Sequence, residues 1–384
     1  MLQDDWWPRI GGGPVHVREL SITLAEEFDH SIDIYTRALV KDGTSHTEIQ
    51  TFADGAVRLH RLKPSTEYWN AGGRVASMGS PIPHLLSEDF DIVHGHTFLP
   101  AVPTRAAGAL TDAATVFTVH GTALTSRTGR DESALAPIKR RIERQFVLGF
   151  DYDHVISVNT EHIGLLDEHH TDVSCVPNGV DIDRFDVETE QRDEILFLGR
   201  LAPKKRVSDL IEAYERVSDE FPETDLVIVG SGPKRSELDD LVGTLGISDR
   251  VHFEGRVSDE AIPRYYRRAR LFVLPSVWEG HPLTLLEAWA AETPVVASDV
   301  EGIAEFVVHE ETGYLVPSEA PNELADGLRH ALSNRTTAER WATNAHELVE
   351  SDYSWEGVAE RTNQIYQRVV SSSPNDSTVS PHSM

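Results

Sequence analysis

Short apolar stretches with few charges alternate along the chain with longer amphipathic segments. The short stretches are rich in β-branched residues, and this composition predicts strands. In the first half of the chain the predicted strands cover residues 31–36, 57–62, 91–93, 114–119, 154–158 and 173–176. In the second half they cover residues 195–198, 226–229, 251–253, 271–274, 294–297 and 314–316.

The amphipathic segments between these strands predict helices. They cover residues 15–28, 99–110 and 134–148, and then 207–220, 234–245, 259–268, 283–291, 322–332, 338–350 and 355–369. Near-continuous apolar strands that alternate with helices are typical of parallel sheets covered on both faces. The pattern therefore predicts an α/β protein with two doubly wound, Rossmann-like domains.

The boundary between the two domains is expected in the polar stretch 181–192, which follows the turn sequence Pro177-Asn178-Gly179. We therefore expect an N-terminal domain at residues 1–181 and a C-terminal domain at residues 182–352. A last helix is expected at residues 353–370. The Ser- and Pro-rich residues 371–384 predict a disordered tail.

The glycine loop Gly11-Gly12-Gly13 comes directly before the first predicted helix, where a turn between a strand and a helix belongs. No convincing strand precedes this loop, because residues 3–5 are polar and the apolar pair Trp6-Trp7 is too short. The sequence therefore predicts that the first strand of the N-terminal domain is missing. We expect the natural protein to carry further apolar residues upstream.

The length of 384 residues fits two domains at about 150 residues each. Hydrophobic residues make up 40% and charged residues 26%, which excludes a wholly disordered chain. No apolar run approaches the roughly 18 residues of a spanning helix, and the acidic start does not resemble a signal peptide. Cys175 is the single cysteine, so no internal disulfide is expected. These features favour a cytoplasmic location.

The charge is strongly negative, with 63 acidic against 35 basic residues and a formal net charge of −28. Nucleic acid is therefore not an expected partner, because phosphate binding depends on basic stripes. The acidic residues are dispersed along the chain, and lysine is scarce. This combination favours an acidic surface adapted to high salt, as in halophilic proteins, over an ordinary acidic enzyme.

One candidate binding segment is Gly199-Arg200-Leu201-Ala202-Pro203-Lys204-Lys205-Arg206, directly after a predicted strand. Ligands of open α/β sheets bind at the carboxyl ends of strands. Arginine and lysine bind phosphate oxygens, so the segment is a candidate anion site. A solvent-exposed cluster at the start of a helix is an equally good interpretation.

A second candidate segment, residues 276–288, follows another predicted strand and leads into a helix. The free N–H groups at the start of that helix form a candidate seat for a diphosphate. Glu279 is placed to face a sugar, and Glu287 to accept hydrogen bonds from a ribose diol. The alternative makes Glu279 a charge at the helix start and Glu287 part of a solvated helix face.

Glycine loops and histidines give weaker signals. Gly230-Ser231-Gly232-Pro233 and the loop before the first helix each allow a close approach of backbone to a ligand, or simply form turns. Neither matches a dinucleotide-binding fingerprint. His94-Gly95-His96 and His120-Gly121-Thr122 each stand at the carboxyl end of a predicted strand, where two histidines could ligate a metal ion. No third ligand follows at a recognisable spacing, so hydrogen bonding is favoured over metal binding. His162, His169 and His170 are interpreted as surface helix residues without a function.

Taken together, these segments resemble the retaining glycosyltransferases of family 4, which have the GT-B fold of two domains facing across a cleft. Glu279 and Glu287 match the Glu-x7-Glu signature of that family, and Gly199 to Lys205 resembles its Gly-Arg-Leu-x-x-x-Lys group. Further matches are Val176-Pro177-Asn178-Gly179-Val180-Asp181, Val119-His120-Gly121 and Gly230-Ser231-Gly232-Pro233. The resemblance covers nearly the whole chain.

The resemblance implies roles for individual residues. A nucleotide-sugar donor would bind mainly the C-terminal domain, and an acceptor would bind near Gly12, Gly13 and His120. The implied catalytic residues are Glu279, Arg200, Lys205 and His120. The implied donor-binding residues are Glu287, Leu283, Thr284, Val257, Gly12 and Gly13. The last helix, from Tyr353-Ser354-Trp355, would cross back onto the N-terminal domain.

The implied reaction transfers a sugar from a nucleoside diphosphate to an acceptor hydroxyl with retention of configuration. The acceptor is expected to be a glycan or a lipid-linked glycan, with peripheral contact to the inner face of the membrane. No metal ion or other cofactor is expected. Arg206 stands where the family usually has glycine. The alternatives are a nucleotide-sugar epimerase or hydrolase of the same architecture, a non-catalytic homologue, and a Rossmann oxidoreductase.

Overall fold

The computed structural model describes residues 1–4, 6, 12–39, 49–66, 77–121, 124 and 136–372. These residues form two compact units. The first contains the described residues up to 124 together with 136–178 and 355–372, and the second contains residues 179–354. Gly11 and Thr122 of the sequence motifs, and residues 373–384 of the expected tail, lie outside the described residues.

The first unit contains seven strands and five helices before its last helix, counted over the described residues. The strands are β1 Ile32–Leu39, β2 Gln50–Phe52, β3 Val57–Thr66, β4 Ile92–His96, β5 Ala114–Val119, β6 His154–Ser157 and β7 Val173–Cys175. The helices are α1 Gly12–Phe28, α2 Ile82–Ser87, α3 Ala101–Leu110, α4 Ala136–Leu148 and α5 Ile163–Asp167. The strands form ladders in the orders β1-β3-β2 and β4-β5-β6-β7, in which only β2 runs antiparallel to its neighbour.

Residues 1–3 join these two ladders. Leu2 forms parallel bridges with both Tyr35 of β1 and Gly95 of β4. Its N–H donates to the His94 carbonyl at 2.8 Å, and its carbonyl accepts from the His96 N–H at 3.0 Å. On the other side, the Gln3 N–H donates to the Tyr35 carbonyl at 3.1 Å.

Residues 1–3 therefore pair with both β1 and β4, in the place where the sequence predicts a missing strand. That the natural protein carries further apolar residues upstream stays a prediction. Three residues are too few to show a period of two, and Gln3 is polar. The neighbours on both sides supply the hydrogen bonds that make the segment extended, and Leu2 is fully buried among apolar side chains.

The second unit contains six strands, all parallel. They are β8 Glu194–Leu198, β9 Asp225–Val229, β10 Val251–Gly255, β11 Leu271–Leu274, β12 Val295–Ser298 and β13 Tyr314–Val316. The helices are α6 Val207–Ser218, α7 Arg235–Leu245, α8 Ile262–Arg268, α9 Leu283–Ala290, α10 Pro321–Ser333 and α11 Arg335–Asp352. The spatial order is β10-β9-β8-β11-β12-β13, which is the 3-2-1-4-5-6 order of the Rossmann fold.

Apolar clusters cover both faces of this sheet. On one face Phe197 and Leu210 pack with residues from α6, α7 and α10. On the other face Phe272 and Trp289 pack with residues from α8, α9 and α11. Because consecutive side chains of a strand point to opposite faces, a strand that is covered on both faces is apolar throughout, as β11 is. The edge strand β10 instead alternates more buried with exposed residues. The α/β prediction with doubly wound, Rossmann-like domains is confirmed.

The predicted elements differ from the observed ones mainly at their ends. The sequence missed β2, α2 and α5, which are six residues long or shorter and carry no clear periodicity. Residues 259–261 form a separate 3-10 turn before α8, because Pro263 fits the first turn of a new helix.

The last helix, α12 Trp355–Ser372, packs within the first unit. His30 Nε2 lies 2.8 Å from the Asn363 side-chain oxygen, and His94 Nδ1 lies 2.6 Å from the Tyr366 hydroxyl. The helix includes Ser371 and Ser372, which the sequence assigned to the disordered tail. Among the described helices, none is both long and apolar enough to cross a bilayer.

Candidate active site

Two loops of the second unit meet where the strand order reverses. β8 and β11 are neighbours in the sheet, and the chain leaves them toward opposite sides. Ligands of open α/β sheets bind at such a point, outside the carboxyl ends of the strands. The loop after β8 carries Arg200, Lys204 and Lys205, and the loop after β11 carries Glu279. The Val277 N–H donates to the Lys204 carbonyl at 2.9 Å and ties the loops together.

The carboxylate of Glu279 is buried between these loops. Its Oε1 accepts a hydrogen bond from Lys205 Nζ at 2.5 Å and another from the Ser276 hydroxyl at 2.6 Å. Burial by itself raises the pKa of Glu279, but the charges of Lys205 and Lys204 and these hydrogen bonds outweigh it and lower the pKa to about 2. Glu279 is therefore ionised at neutral pH, and the interpretation as a simple helix-start charge does not fit.

Two further cations lie on the loop after β8. Lys204 Nζ lies 4.7 Å from the centre of the Trp278 ring and 3.7 Å from Glu279 Oε2. Arg200 is exposed, and no ion-pair partner for it occurs among the described residues. The site thus offers one open guanidinium beside two ammonium groups that share a carboxylate.

Arg206 adopts the left-handed conformation, with φ +47° and ψ +39°. Glycine adopts this backbone geometry most readily, since a side chain in this region costs roughly 1–2 kcal/mol. Arg206 Nε donates to Asp209 Oδ2 at 2.9 Å, which offsets part of that cost. The loop keeps its turn in spite of the departure from the family pattern.

Glu287 lies on α9 and is held by a neighbouring helix. The buried hydroxyl of Tyr266, on α8, donates to Glu287 Oε2 at 2.8 Å. Burial raises the pKa of Glu287, and the hydrogen bond from Tyr266 opposes that rise. Glu287 is therefore a positioned acceptor rather than part of a solvated face. No sequence signal points to Tyr266, because it lies in an ordinary amphipathic segment.

The start of α9 carries polar groups without partners. No side chain caps this helix, which begins at Leu283 after Pro282. The Thr284 hydroxyl is buried and has no hydrogen-bond partner among the described residues. Unpaired N–H groups and a hydroxyl at the start of a helix favour the binding of an anion there.

The glycine loop after β9 packs against the loop after β8. A Cβ on Gly230, which has φ +136°, would lie 1.8 Å from the Gly199 carbonyl oxygen. A Cβ on Gly232 would lie 2.3 Å from the Leu201 carbonyl oxygen. These two glycines therefore let two backbones touch. Val257 follows β10 and packs half-buried against the apolar cluster around Trp289.

The residues expected near the acceptor lie in the first unit. Gly12 and Gly13 begin α1, and a Cβ on Gly13 would lie 3.0 Å from the Gln3 side chain. His120 follows β5, and its Nε2 lies 3.3 Å from His96 Nδ1. The fold adds His16 of α1, whose ring centre lies 4.6 Å from that of His120. The sequence did not single out His16.

Two of the other histidines are buried. His94 binds Tyr366 through Nδ1 and the Thr118 hydroxyl through Nε2, so hydrogen bonding accounts for both ring nitrogens. The prediction that His162 lies on a helix surface is wrong, because it is 1% exposed. Its ring fits against the end of β6, where Nδ1 lies 3.4 Å from the Ser157 hydroxyl.

Comparison with known proteins agrees with this architecture. Residues 180–348 match the family described as glycosyl transferases group 1, and residues 10–184 match glycosyltransferase family 4. The glycogen synthase of Mycobacterium tuberculosis is 31% identical over 383 residues, covering 93% of this chain and 91% of that one. The chain belongs to the group 1 glycosyltransferases.

Solved structures place this glycosyltransferase in the GT-B fold, as the sequence predicts. Sucrose-phosphate synthase from Thermosynechococcus elongatus superposes with a TM-score of 0.83 at 23% identity, covering 94% of each chain. Anabaena HepE, solved in complex with UDP-glucose, superposes with a TM-score of 0.76 at 18% identity, covering 96% of this chain and 98% of that one.

Proposed function

We propose that this glycosyltransferase moves a sugar from a nucleoside-diphosphate sugar to an acceptor hydroxyl and retains the anomeric configuration. The observation that carries the proposal is the group of Arg200, Lys205 and Glu279 where the strand order of the second unit reverses. The UDP-glucose complex of HepE supports a donor of this class.

The cations on the loop after β8 suit the departing diphosphate. As the bond to the sugar breaks, negative charge grows on the phosphate oxygens, and fixed cations nearby stabilise that charge most in the transition state. Arg200 is open to such a ligand. Lys205 is already held by Glu279, so its ammonium group is oriented before a donor binds. The start of α9, with Leu283 and Thr284, adds N–H groups and a hydroxyl.

Glu279 suits a hydrogen-bond acceptor for a sugar hydroxyl better than a proton donor. With a pKa of about 2 it carries no proton at neutral pH. Its Oε1 already accepts two hydrogen bonds, which reduces its nucleophilic character. Glu287, on α9, suits hydrogen bonding to the ribose diol of the nucleotide. Val257 suits an apolar contact with its base.

Retention is best explained by attack on the face that the diphosphate leaves. The acceptor oxygen forms its bond to the anomeric carbon while the bond from that carbon to the diphosphate oxygen breaks. The departing phosphate takes the hydroxyl proton. This route needs no covalent intermediate on the enzyme, and Arg200 and Lys205 supply the positive charge that it requires.

The acceptor is proposed to be a glycan or a lipid-linked glycan that binds the first unit near Gly12, Gly13 and His120. We propose that the enzyme works in the cytoplasm, at the inner face of the membrane. The low lysine content and the net charge of −28 support the further proposals of a salt-adapted surface and of no nucleic-acid partner.

A donor panel tests the proposal. The full chain is incubated with different nucleotide-sugars and with soluble and lipid-linked acceptors, and released nucleoside diphosphate is measured. Nuclear magnetic resonance then determines the anomeric configuration of donor and product. We expect release only with an acceptor, and the same configuration in both molecules. Inversion would refute the retaining mechanism, and free sugar without acceptor would identify a hydrolase.

A further inference from the structure

Three histidines from separate parts of the first unit meet at one point. His16 lies on α1, His96 ends β4, and His120 follows β5. One ring nitrogen from each residue lies within 4.8 Å of the other two. His16 and His96 are buried and His120 is half-buried, so the cluster is enclosed but borders the surface at His120.

We propose that His16, His96 and His120 bind a divalent transition-metal ion of the zinc class, with a fourth coordination position open to water. Three imidazole ligands with an open fourth position are a known coordination set for zinc. Nothing in the proposed transfer reaction requires this ion. The proposed metal site shares His120 with the proposed acceptor site, so a His120 ring that binds the ion is not free to contact an acceptor.

The spacing of two of the ring nitrogens fits such an ion. With metal–nitrogen distances of about 2.0–2.1 Å and tetrahedral angles, two ligand atoms lie roughly 3.3–3.4 Å apart. His96 Nδ1 and His120 Nε2 are 3.3 Å apart. The third nitrogen, on His16, lies within 4.8 Å of the other two, so a shift of at most about 1.5 Å brings it to the same spacing.

Neighbouring groups orient the rings for metal binding. The Asn178 side-chain oxygen lies 2.8 Å from His16 Nδ1. Because an amide oxygen only accepts hydrogen bonds, Nδ1 donates and Nε2 keeps its lone pair. Such an outer partner is typical of histidines that bind metals.

His96 presents Nδ1 to the cluster, 3.3 Å from His120 Nε2. If Nδ1 binds the ion, Nε2 carries the proton, and this buried N–H has no hydrogen-bond partner among the described residues. The coordination bond has to offset the cost of that unsatisfied group. His94 packs against His96 with ring centres 3.9 Å apart, but both of its nitrogens have other partners. His94 is therefore outside the ligand set.

Direct metal binding tests the proposal. The full chain is freed of metal with a chelator and dialysed against micromolar Zn²⁺, and bound zinc is counted. Co²⁺ is then used as a spectroscopic probe, because its visible absorption reports tetrahedral coordination. We expect one ion per chain, tetrahedral Co²⁺ bands, and a melting temperature that rises with added Zn²⁺.

Variants locate the site. His120→Gln is the main variant, because a half-buried residue at a strand end is replaced with little risk to folding, and His16→Gln is the second. Both are expected to lose the bound ion and the Co²⁺ bands. Asn178→Ala is expected to weaken binding by about ten- to a hundredfold, as loss of an outer partner does.

Matched controls are His94→Gln, a buried histidine beside the cluster, and His169→Gln, an exposed one. Both should bind one ion as the natural chain does, and melting curves check that every variant is folded. Binding that persists in folded His120→Gln would place the ion elsewhere and overturn the proposal. Absence of bound zinc in the natural chain would overturn it as well.

Discussion

Arg200 and Lys205 are the residues on which the proposed chemistry depends most. At about 4 Å and an effective dielectric constant of about 20, one charge pair contributes roughly 4 kcal/mol. If most of this arises as the diphosphate departs, each cation accelerates the reaction by about 10²–10³. We therefore expect Arg200→Ala and Lys205→Ala each to lower kcat by ~10²–10³. Steady-state kinetics with the best donor checks this.

The control for these variants is Arg335→Ala, which removes an exposed arginine paired with Glu339 on α11. Its kcat should equal that of the natural enzyme. In the double variant at residues 200 and 205, the increase in activation free energy should be smaller than the sum of the increases in the two single variants. The reason is that both cations serve one leaving group. A strictly additive loss would contradict a shared role.

Glu287 and Tyr266 form the second pair at the residue scale. Tyr266→Phe removes the hydrogen bond at 2.8 Å that holds the carboxylate. A net hydrogen bond of ~0.5–1.5 kcal/mol corresponds to a donor KM raised roughly three- to tenfold. We expect kcat to change little, because ribose contacts bind ground and transition states alike.

The pH profile separates this role from a merely structural one. The Tyr266 hydrogen bond favours ionised Glu287, so its removal raises the pKa of Glu287 further. The donor KM should therefore begin to rise at a higher pH in Tyr266→Phe as the solution is acidified. Tyr214→Phe is the control, since its buried hydroxyl donates to the Thr224 carbonyl at 2.8 Å on the opposite face of the sheet. An unchanged profile in Tyr266→Phe would contradict the positioning role.

At the scale of elements, residues 1–3 complete the sheet of the first unit. Leu2 is 1% exposed and packs with Tyr35, Leu85 and Val93. Leu2→Ala is therefore expected to lower the free energy of unfolding of this unit by roughly 2–5 kcal/mol. Urea unfolding followed by circular dichroism measures the change. Leu110→Ala, at a residue that is 64% exposed, should change it by less than about 0.5 kcal/mol.

At the scale of the whole molecule, the net charge of −28 should make stability depend on salt. Like charges dispersed over a surface repel one another. At a salt concentration of 0.1 M, repulsion between charges more than roughly 10 Å apart is largely screened. We expect the melting temperature to rise steeply across a series from dilute buffer to molar salt. A flat series would refute the salt-adapted surface.

Metal dependence is also a property of the whole enzyme. Because Arg200 and Lys205 provide the positive charge for the leaving group, a chelator such as EDTA should leave turnover undiminished. An ion bound at His16, His96 and His120 would occupy candidate acceptor residues, so its removal is not expected to slow transfer. Turnover abolished by chelation but retained in Arg200→Ala would show that a metal ion stabilises the leaving group.

Sequence by itself determined most elements of the second unit and named its candidate site residues. The central strands are apolar throughout because both faces are covered, and this signal is local to each strand. Arg200, Lys205, Glu279 and Glu287 follow strand ends, so the sequence could place them at one edge of a sheet. The family resemblance rested on the same residues, and the comparisons confirmed it.

Only the tertiary structure decided features that depend on residues far apart in the chain. Residues 1–3 pair with β1 and β4 because these strands supply their hydrogen bonds, and no local pattern shows this. Tyr266 reaches Glu287, and His16 joins His96 and His120, through contacts between separate helices and strands. Local propensity records what a segment prefers alone, whereas these contacts arise from packing, which only the folded chain defines.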